Sequence, residues 1–272
     1  MTVCVTTSTL HGLSLARLGT TMKPVTLLHA LTRRLLTIPR RARLSLGALA
    51  MAALAAAAVS LAAPSALANL YDRLPARSRA ALDRGAQVVR TQEMEGSKWP
   101  AVTVYQLVAV PPEVAMAVFT DFGGQAAYLK DCCGLLQSIV KDPAVDGDPR
   151  VQRVFYEIAV PVFSNEQYEL LETLAKNTDG SYSVTWRKIG TGGHSDDIVG
   201  QAIFEPQGDG TLLYYNNFVK MNAVGAGLFA GRSVDATKTT IRAMARNMEE
   251  RYAAGGRRLR DDLARLRAAF AQ

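Results

Sequence analysis

Histidine is the side chain best suited to general acid–base chemistry near neutral pH, and the sequence after residue 68 contains one, His194. It lies in a segment rich in glycine and aspartate, where Asp196 or Asp197 could orient it as a general base. The alternative, which we favour, is a solvated loop histidine. Ser164 has no evident base partner in the sequence, and no nucleophile-elbow pattern occurs. We therefore predict no catalytic residue.

Thiols are equally scarce, because only Cys132 and Cys133 follow the first 68 residues. Neighbouring cysteines can close only a small strained ring, which argues against a disulfide that stabilises the fold. Two thiols and one imidazole are too few for the usual metal sites. The glycine-rich run Gly190–Gly193 is not followed by a lysine-bearing helix that would hold a phosphate. We predict neither a metal nor another cofactor.

The charge of the chain is unevenly distributed. The formal net charge is +7, from 31 Lys and Arg against 24 Asp and Glu. Seven of those basic residues and none of the acidic ones lie in residues 1–68, so residues 69–272 are formally neutral. A basic surface is what nucleic-acid binding requires. The sequence therefore predicts no nucleic-acid partner.

The first 68 residues have the pattern of an export signal. The basic positions Arg33, Arg34 and Arg40–Arg43 precede an apolar run, Leu44–Ala63, and Ala66–Ala68 has the small residues that a signal peptidase accepts. We predict cleavage near Ala68 and a periplasmic location, by either the general secretory or the twin-arginine route. The alternative is an inner-membrane anchor formed by residues 44–63, since roughly twenty apolar residues can cross a bilayer.

Hydrophobic periodicity and turn residues predict one domain after the leader. A helix is expected over Pro75–Gln92, in an N-terminal helical extension that covers residues 69–100. Residues 101–272 then form the main domain, in which two short helices, Glu113–Phe119 and Gln125–Leu129, follow the first strand. The predicted strands are Ala101–Val110, Leu135–Lys141, Val151–Val160, Gln167–Lys176, Tyr182–Lys188, Ile198–Glu205 and Thr211–Lys220. A long helix follows over Ser233–Phe270, which Gly255 and Gly256 either kink or divide.

Strands joined by such short connections must be mostly antiparallel, because parallel pairing needs a long crossover. An antiparallel sheet with an amphipathic helix across it is an α+β architecture. We expect the sheet to curve around the long C-terminal helix and to leave an apolar cavity between them.

Three segments carry a family resemblance. Val104–Val114 has an apolar strand followed by two prolines and the start of a helix, and Thr120–Phe122 supplies an Asp-Phe pair. Pro161–Tyr168 resembles a Pro-x-Ser-Asn motif, with Glu166 and Gln167 in place of the usual Arg-Asp. Over residues 100–250 the chain resembles the START and polyketide-cyclase-like superfamily, which is Bet v 1-like. That resemblance implies a helix-grip fold with a cavity for lipids, sterols or polyketides, which some members cyclise or dehydrate.

Alternation along the strands predicts which side chains face the cavity. The predicted ligand-binding residues are Val104, Gln106, Val108, Tyr156, Ile158, Ala202, Phe204, Leu213, Tyr215, Asn217 and Phe229. The polar members Tyr156, Tyr215 and Asn217 could orient a ligand, but we favour internal hydrogen bonds, which buried polar groups usually form. Phe229 lies in the Gly225–Gly231 loop, which is either a mobile mouth that could contact a membrane transiently or a loop packed on the helix.

These observations favour a protein that binds a hydrophobic small molecule or lipid and transports or senses it in the periplasm. The first alternative is an enzyme of the cyclase or dehydratase kind that uses the cavity tyrosines. The second is a non-catalytic envelope protein that binds a partner through its charged C-terminal helix.

Overall fold

The computed structural model describes residues 70–160, 164–221, 227 and 230–271. The predicted leader and the predicted mouth residue Phe229 lie outside these residues. Within them, no helix combines the length and the apolar character needed to cross a bilayer.

The described residues form eight strands and five α-helices, in the order α1, β1, β2, α2, α3, β3 to β8, α4 and α5. The helices are α1 (Ala76–Asp83), α2 (Pro112–Phe119), α3 (Ala126–Cys133), α4 (Ala230–Ala254) and α5 (Arg257–Phe270). The strands are β1 (Val88–Gln92), β2 (Ala101–Val108), β3 (Leu135–Asp142), β4 (Val151–Ile158), β5 (Glu166–Lys176), β6 (Tyr182–Ile189), β7 (Ser195–Gln207) and β8 (Gly210–Met221).

All eight strands form one antiparallel sheet with the order β1-β2-β8-β7-β6-β5-β4-β3. Strands β3 to β8 are joined as successive neighbours, and β2 pairs with β8, the last strand in the chain. The sheet is open and curves around the C-terminal helices. The prediction of an α+β helix-grip fold is confirmed.

The predicted helix over Pro75–Gln92 is wrong beyond Asp83. Gly85 has a φ of +78°, which favours glycine and ends the helix. The chain then turns into β1, whose Val88 and Val89 pair with β2. Both valines are β-branched and suit a strand better than a helix.

The other helices differ from the predictions mainly in length. Helix α3 continues to Cys133 rather than ending at Leu129. The long C-terminal helix is divided, the second of the two alternatives, since Gly255 adopts a φ of +66° between α4 and α5. The predicted strand starting at Ile198 begins earlier, at Ser195.

The main core lies between the inner face of the sheet and helices α2, α4 and α5. Its fully buried side chains include Val104, Val118, Phe204, Leu213, Ile241 and Met248. A smaller cluster on the opposite face packs Leu74 and Leu82 against Tyr105 and Leu212. Successive side chains of β2 and β8 point to opposite faces of the sheet, so these strands contribute to both clusters, the smaller one beside α1 and the main core beside α4.

A buried ion cluster joins three separate parts of the chain. Arg251 of α4 bonds Asp121, in the turn after α2, at 3.0 Å and also bonds Asp262 of α5. Arg258 and Arg265 complete the cluster, at 2.7 Å from Asp121 and 2.9 Å from Asp262 respectively. Burial raises the pKa of Asp262, and the arginines oppose that rise. The cluster fixes α5 against α4 beyond the Gly255 break.

Candidate ligand-binding site

A cavity of about 620 Å³ lies between the inner face of the sheet, α3 and the first half of α4. This volume is within the roughly 300–1,000 Å³ typical of small-molecule sites. Most of the wall is apolar, and it includes Val102, Leu170, Ile198, Val219, Met221 and Met244. The sheet supplies these side chains because every second residue of its strands points inward.

The cavity has an outer and an inner end. Along α4 its lining runs from exposed Arg232 and Ala236 to buried Met244. Along β5 it runs from Glu166 to Glu172. The opening therefore lies near the start of α4, and the inner end lies beside Met244 and Glu172.

Four predicted ligand-binding residues line this cavity: Tyr156, Ile158, Tyr215 and Asn217. Five others face inward but belong to the packed core, namely Val104, Val108, Ala202, Phe204 and Leu213. Helix α2 covers part of the sheet there, and its Phe119 ring contacts the Phe204 ring at 5.3 Å between centroids. These five side chains point to the inner face of the sheet, as predicted, but they do not line the cavity. Whether any of the lining residues binds a ligand stays a prediction.

Gln106 also lies away from the cavity. Its Oε1 accepts a hydrogen bond of 2.8 Å from Gln87 Nε2, which also donates to the Lys238 carbonyl of α4. Gln106 therefore helps to join the N-terminal segment to the sheet. Phe229, the remaining predicted residue, is outside the described residues.

Polar groups on the inner wall mostly bond one another. Tyr156 Oη donates to Glu172 Oε1 at 3.2 Å, and Trp186 Nε1 donates to Asn217 Oδ1 at 2.9 Å. The favoured interpretation, internal hydrogen bonds, therefore describes Tyr156 and Asn217. The sequence reasoning missed Glu172 and Trp186, and it also missed Tyr168, whose ring centroid is 5.7 Å from that of Tyr156. The alternation Tyr168, Leu170, Glu172, Leu174 was the signal that could have found two of them.

Glu172 is the unusual group of this wall, with only 3% of its surface exposed. Burial raises the pKa of its carboxyl to about 8, although the Tyr156 hydrogen bond opposes the rise. Its second oxygen, Oε2, is buried without a hydrogen-bond partner. Burial also raises the pKa of the neighbouring Tyr156, Tyr168 and Tyr215 hydroxyls. The inner end is consequently uncharged at neutral pH.

The opening carries a polar cluster in which Glu166 is central. Its carboxylate accepts hydrogen bonds from the Ser195 hydroxyl at 2.6 Å and from the Ser195 and His194 backbone N–H groups at 3.0 and 2.5 Å. His194 Nε2 lies 2.8 Å from Ser164 Oγ, and the half-buried imidazole lines the cavity. The expectation that Ser164 has no base partner is wrong. His194 lies in a loop, as predicted, but it is partly buried and lines the cavity.

Cys132 and Cys133 are joined as a disulfide between adjacent residues at the end of α3, and both line the cavity. Because this bond joins adjacent residues, it does not stabilise the fold by linking distant parts of the chain. Among the described residues, no three His, Cys, Asp or Glu side chains are grouped to hold a metal ion.

No protein-family sequence model matches the chain, and no curated protein matches it in sequence. Solved structures do match. The STAR-related lipid transfer protein of Xanthomonas axonopodis, residues 25–204, aligns at a TM-score of 0.52 and 16% identity, over 60% of this chain and 93% of that chain. Human StAR-related lipid transfer protein 5 aligns at a TM-score of 0.48 and 11% identity, over 60% of this chain and 83% of that chain. The Zhui aromatase/cyclase of Streptomyces sp. R1128 aligns at a TM-score of 0.47 and 16% identity, over 62% of this chain and 99% of that chain.

Identities this low show the fold alone. The Xanthomonas match, together with the open eight-stranded sheet and the C-terminal helices, confirms the fold that the sequence motifs implied. The chain has the helix-grip fold, as that lipid transfer protein does.

Proposed function

We propose that the protein binds a hydrophobic, lipid-like molecule in the cavity and transports or senses it in the periplasm. The observation that carries the proposal is a cavity of about 620 Å³ whose wall is mostly apolar. Burying an apolar ligand there removes its surface from water, which is the main source of affinity in such sites. A few polar groups at the inner end and at the opening would orient the ligand.

Two further observations support the proposal. The Xanthomonas structure that shares this fold at a TM-score of 0.52 is that of a lipid transfer protein. The basic and apolar pattern of residues 1–68 supports export, and the remaining residues carry no formal excess of positive charge that would favour nucleic acid.

The cavity is tested by filling its opening. Replacing Ala236 with tryptophan should weaken binding of the fluorescent probe N-phenyl-1-naphthylamine by about tenfold or more, because the indole would occupy the space beside α4. The matched control is Ala253→Trp, which places the same side chain on an exposed position of the same helix away from the cavity. Equal probe binding by both variants and the wild type would contradict the proposal.

The export part is tested on the protein recovered from a bacterial periplasm. Cleavage near Ala68 predicts Asn69 as the first residue when the N-terminus is sequenced. An intact leader that fractionates with the inner membrane would instead favour the anchor formed by residues 44–63.

A further inference from the structure

The inner end of the cavity contains one incompletely bonded polar group, the Glu172 carboxyl. Tyr156 satisfies its Oε1, but Oε2 is buried and has no hydrogen-bond partner. Buried polar atoms are nearly always bonded, so an orphan oxygen on the wall of a ligand cavity indicates a bond that a ligand completes. The terminal torsion of a glutamate side chain is soft, which allows the carboxyl to turn toward that ligand.

We propose that Glu172 is the polar subsite of this cavity and binds an uncharged oxygen group, a hydroxyl or carbonyl, at the leading end of the lipid. This inference rests on the proposed function, since it names the chemical class of the ligand held in the same cavity. The ligand enters polar end first. Its apolar body then lies along Leu170 and Val219 toward the opening.

The charges around the cavity favour an uncharged group. At the inner end, Glu172 shares the cavity wall with five other side chains: Tyr156 from β4, Tyr168 from its own strand, Trp186 from β6, Tyr215 from β8 and Met244 from α4. None of these five side chains is cationic. The charged or titratable lining residues Arg232, Glu166 and His194 lie toward the opening instead.

An ionised ligand head is therefore unfavourable at this end. A carboxylate would lose its hydration without meeting a cation among the described lining residues there. With its pKa raised to about 8, the Glu172 carboxyl is protonated at neutral pH and offers a donor rather than a negative charge. Such a donor suits a neutral oxygen acceptor better than an ammonium group.

The test compares three ligands of equal chain length, 1-dodecanol, dodecanoate and dodecylamine, as competitors of N-phenyl-1-naphthylamine at pH 7. In Glu172→Leu the affinity for dodecanol should fall by about tenfold, the effect of one hydrogen bond to a buried group. Affinities for dodecanoate and for the probe should stay within about threefold of wild type. Glu172→Gln keeps an N–H donor of similar size and should retain dodecanol binding.

A pH series gives a second measurement that does not depend on the leucine variant folding. The ligand for this series is 2-dodecanone, whose carbonyl accepts but cannot donate a hydrogen bond. Between pH 6 and pH 10 the wild type should lose affinity for it as Glu172 ionises and its donor disappears, whereas Glu172→Gln should show no such change. A selective loss of dodecylamine in Glu172→Leu, or equal effects on all three ligands, would overturn the assignment. A flat pH profile in the wild type would also overturn it. Failure of the wild type to bind the probe would instead count against the proposed function itself.

Discussion

Replacing Glu172 with glutamine is expected to make the protein more stable than wild type at alkaline pH, by on the order of 5 kcal/mol at pH 9.5. The folded protein holds the pKa of this carboxyl at about 8, against 4.5 for a free glutamate side chain. Between those values the folded state keeps a proton that the unfolded state has released. The stability of the wild type therefore falls as the pH rises through this window and levels off above it.

Glutamine does not titrate, so the variant should lack this decline. The measurement is urea unfolding of both proteins at intervals between pH 5 and pH 9.5. Glu169→Gln is the matched control, since Glu169 lies on the same strand and is partly exposed beside Arg153. Parallel stability profiles for wild type and Glu172→Gln would show that the carboxyl does not carry its proton into the neutral range.

The second large effect is expected at Arg251. Changing it to leucine should lower the free energy of unfolding by about 3 kcal/mol, because it removes the most buried cation of the cluster. The two carboxylates would then keep only the more exposed Arg258 and Arg265 as partners. Asp262 is only 3% exposed and Asp121 16%, so both would lose a partner in a poorly solvated place.

Urea unfolding at pH 7 measures this loss. Arg257→Leu is the control, because the Arg257–Asp261 pair is exposed on both sides and spans 3.5 Å. Exposed pairs contribute little, so this change should stay within about 0.5 kcal/mol. Similar effects of the two substitutions would mean that the cluster around Asp121 does not stabilise the junction of α4 and α5.

Prediction from the sequence worked best where turns and alternation both left clear signals. Four of the five segments that separate β3 to β8 are rich in Gly, Asp or Asn, and the bounds of these strands were predicted to within a few residues. Strand β1 was missed because Val88 and Val89 also fit the helical spacing of the residues before them. Their pairing with Tyr105 and Val104 is what makes these valines a strand, and local sequence does not show that pairing because the partners lie more than ten residues further along the chain.

The candidate site was predicted less well, for a physical reason. Alternation tells which face of the sheet a side chain occupies, but not what covers that face. Phe204 lies under α2 and Tyr215 lies in the cavity, although both point inward. The contact between Ser164 and His194 joins positions 30 residues apart and depends on where β5 and β7 begin. Glu172 was not predicted as a cavity residue because inward positions of a strand are usually apolar, and a carboxyl there is unusual.

The pairing of β2 with β8 also sets when the protein can fold. Asn216 of β8 donates a hydrogen bond to Thr103 of β2 across 113 residues of chain. The other six pairings join strands that follow one another in the chain and can form as hairpins. The β2–β8 pairing instead requires the closure of a long loop, which is entropically costly. The hairpins of β3 to β8 can therefore form during synthesis, whereas β1 and β2 cannot complete the sheet until β8 has been made.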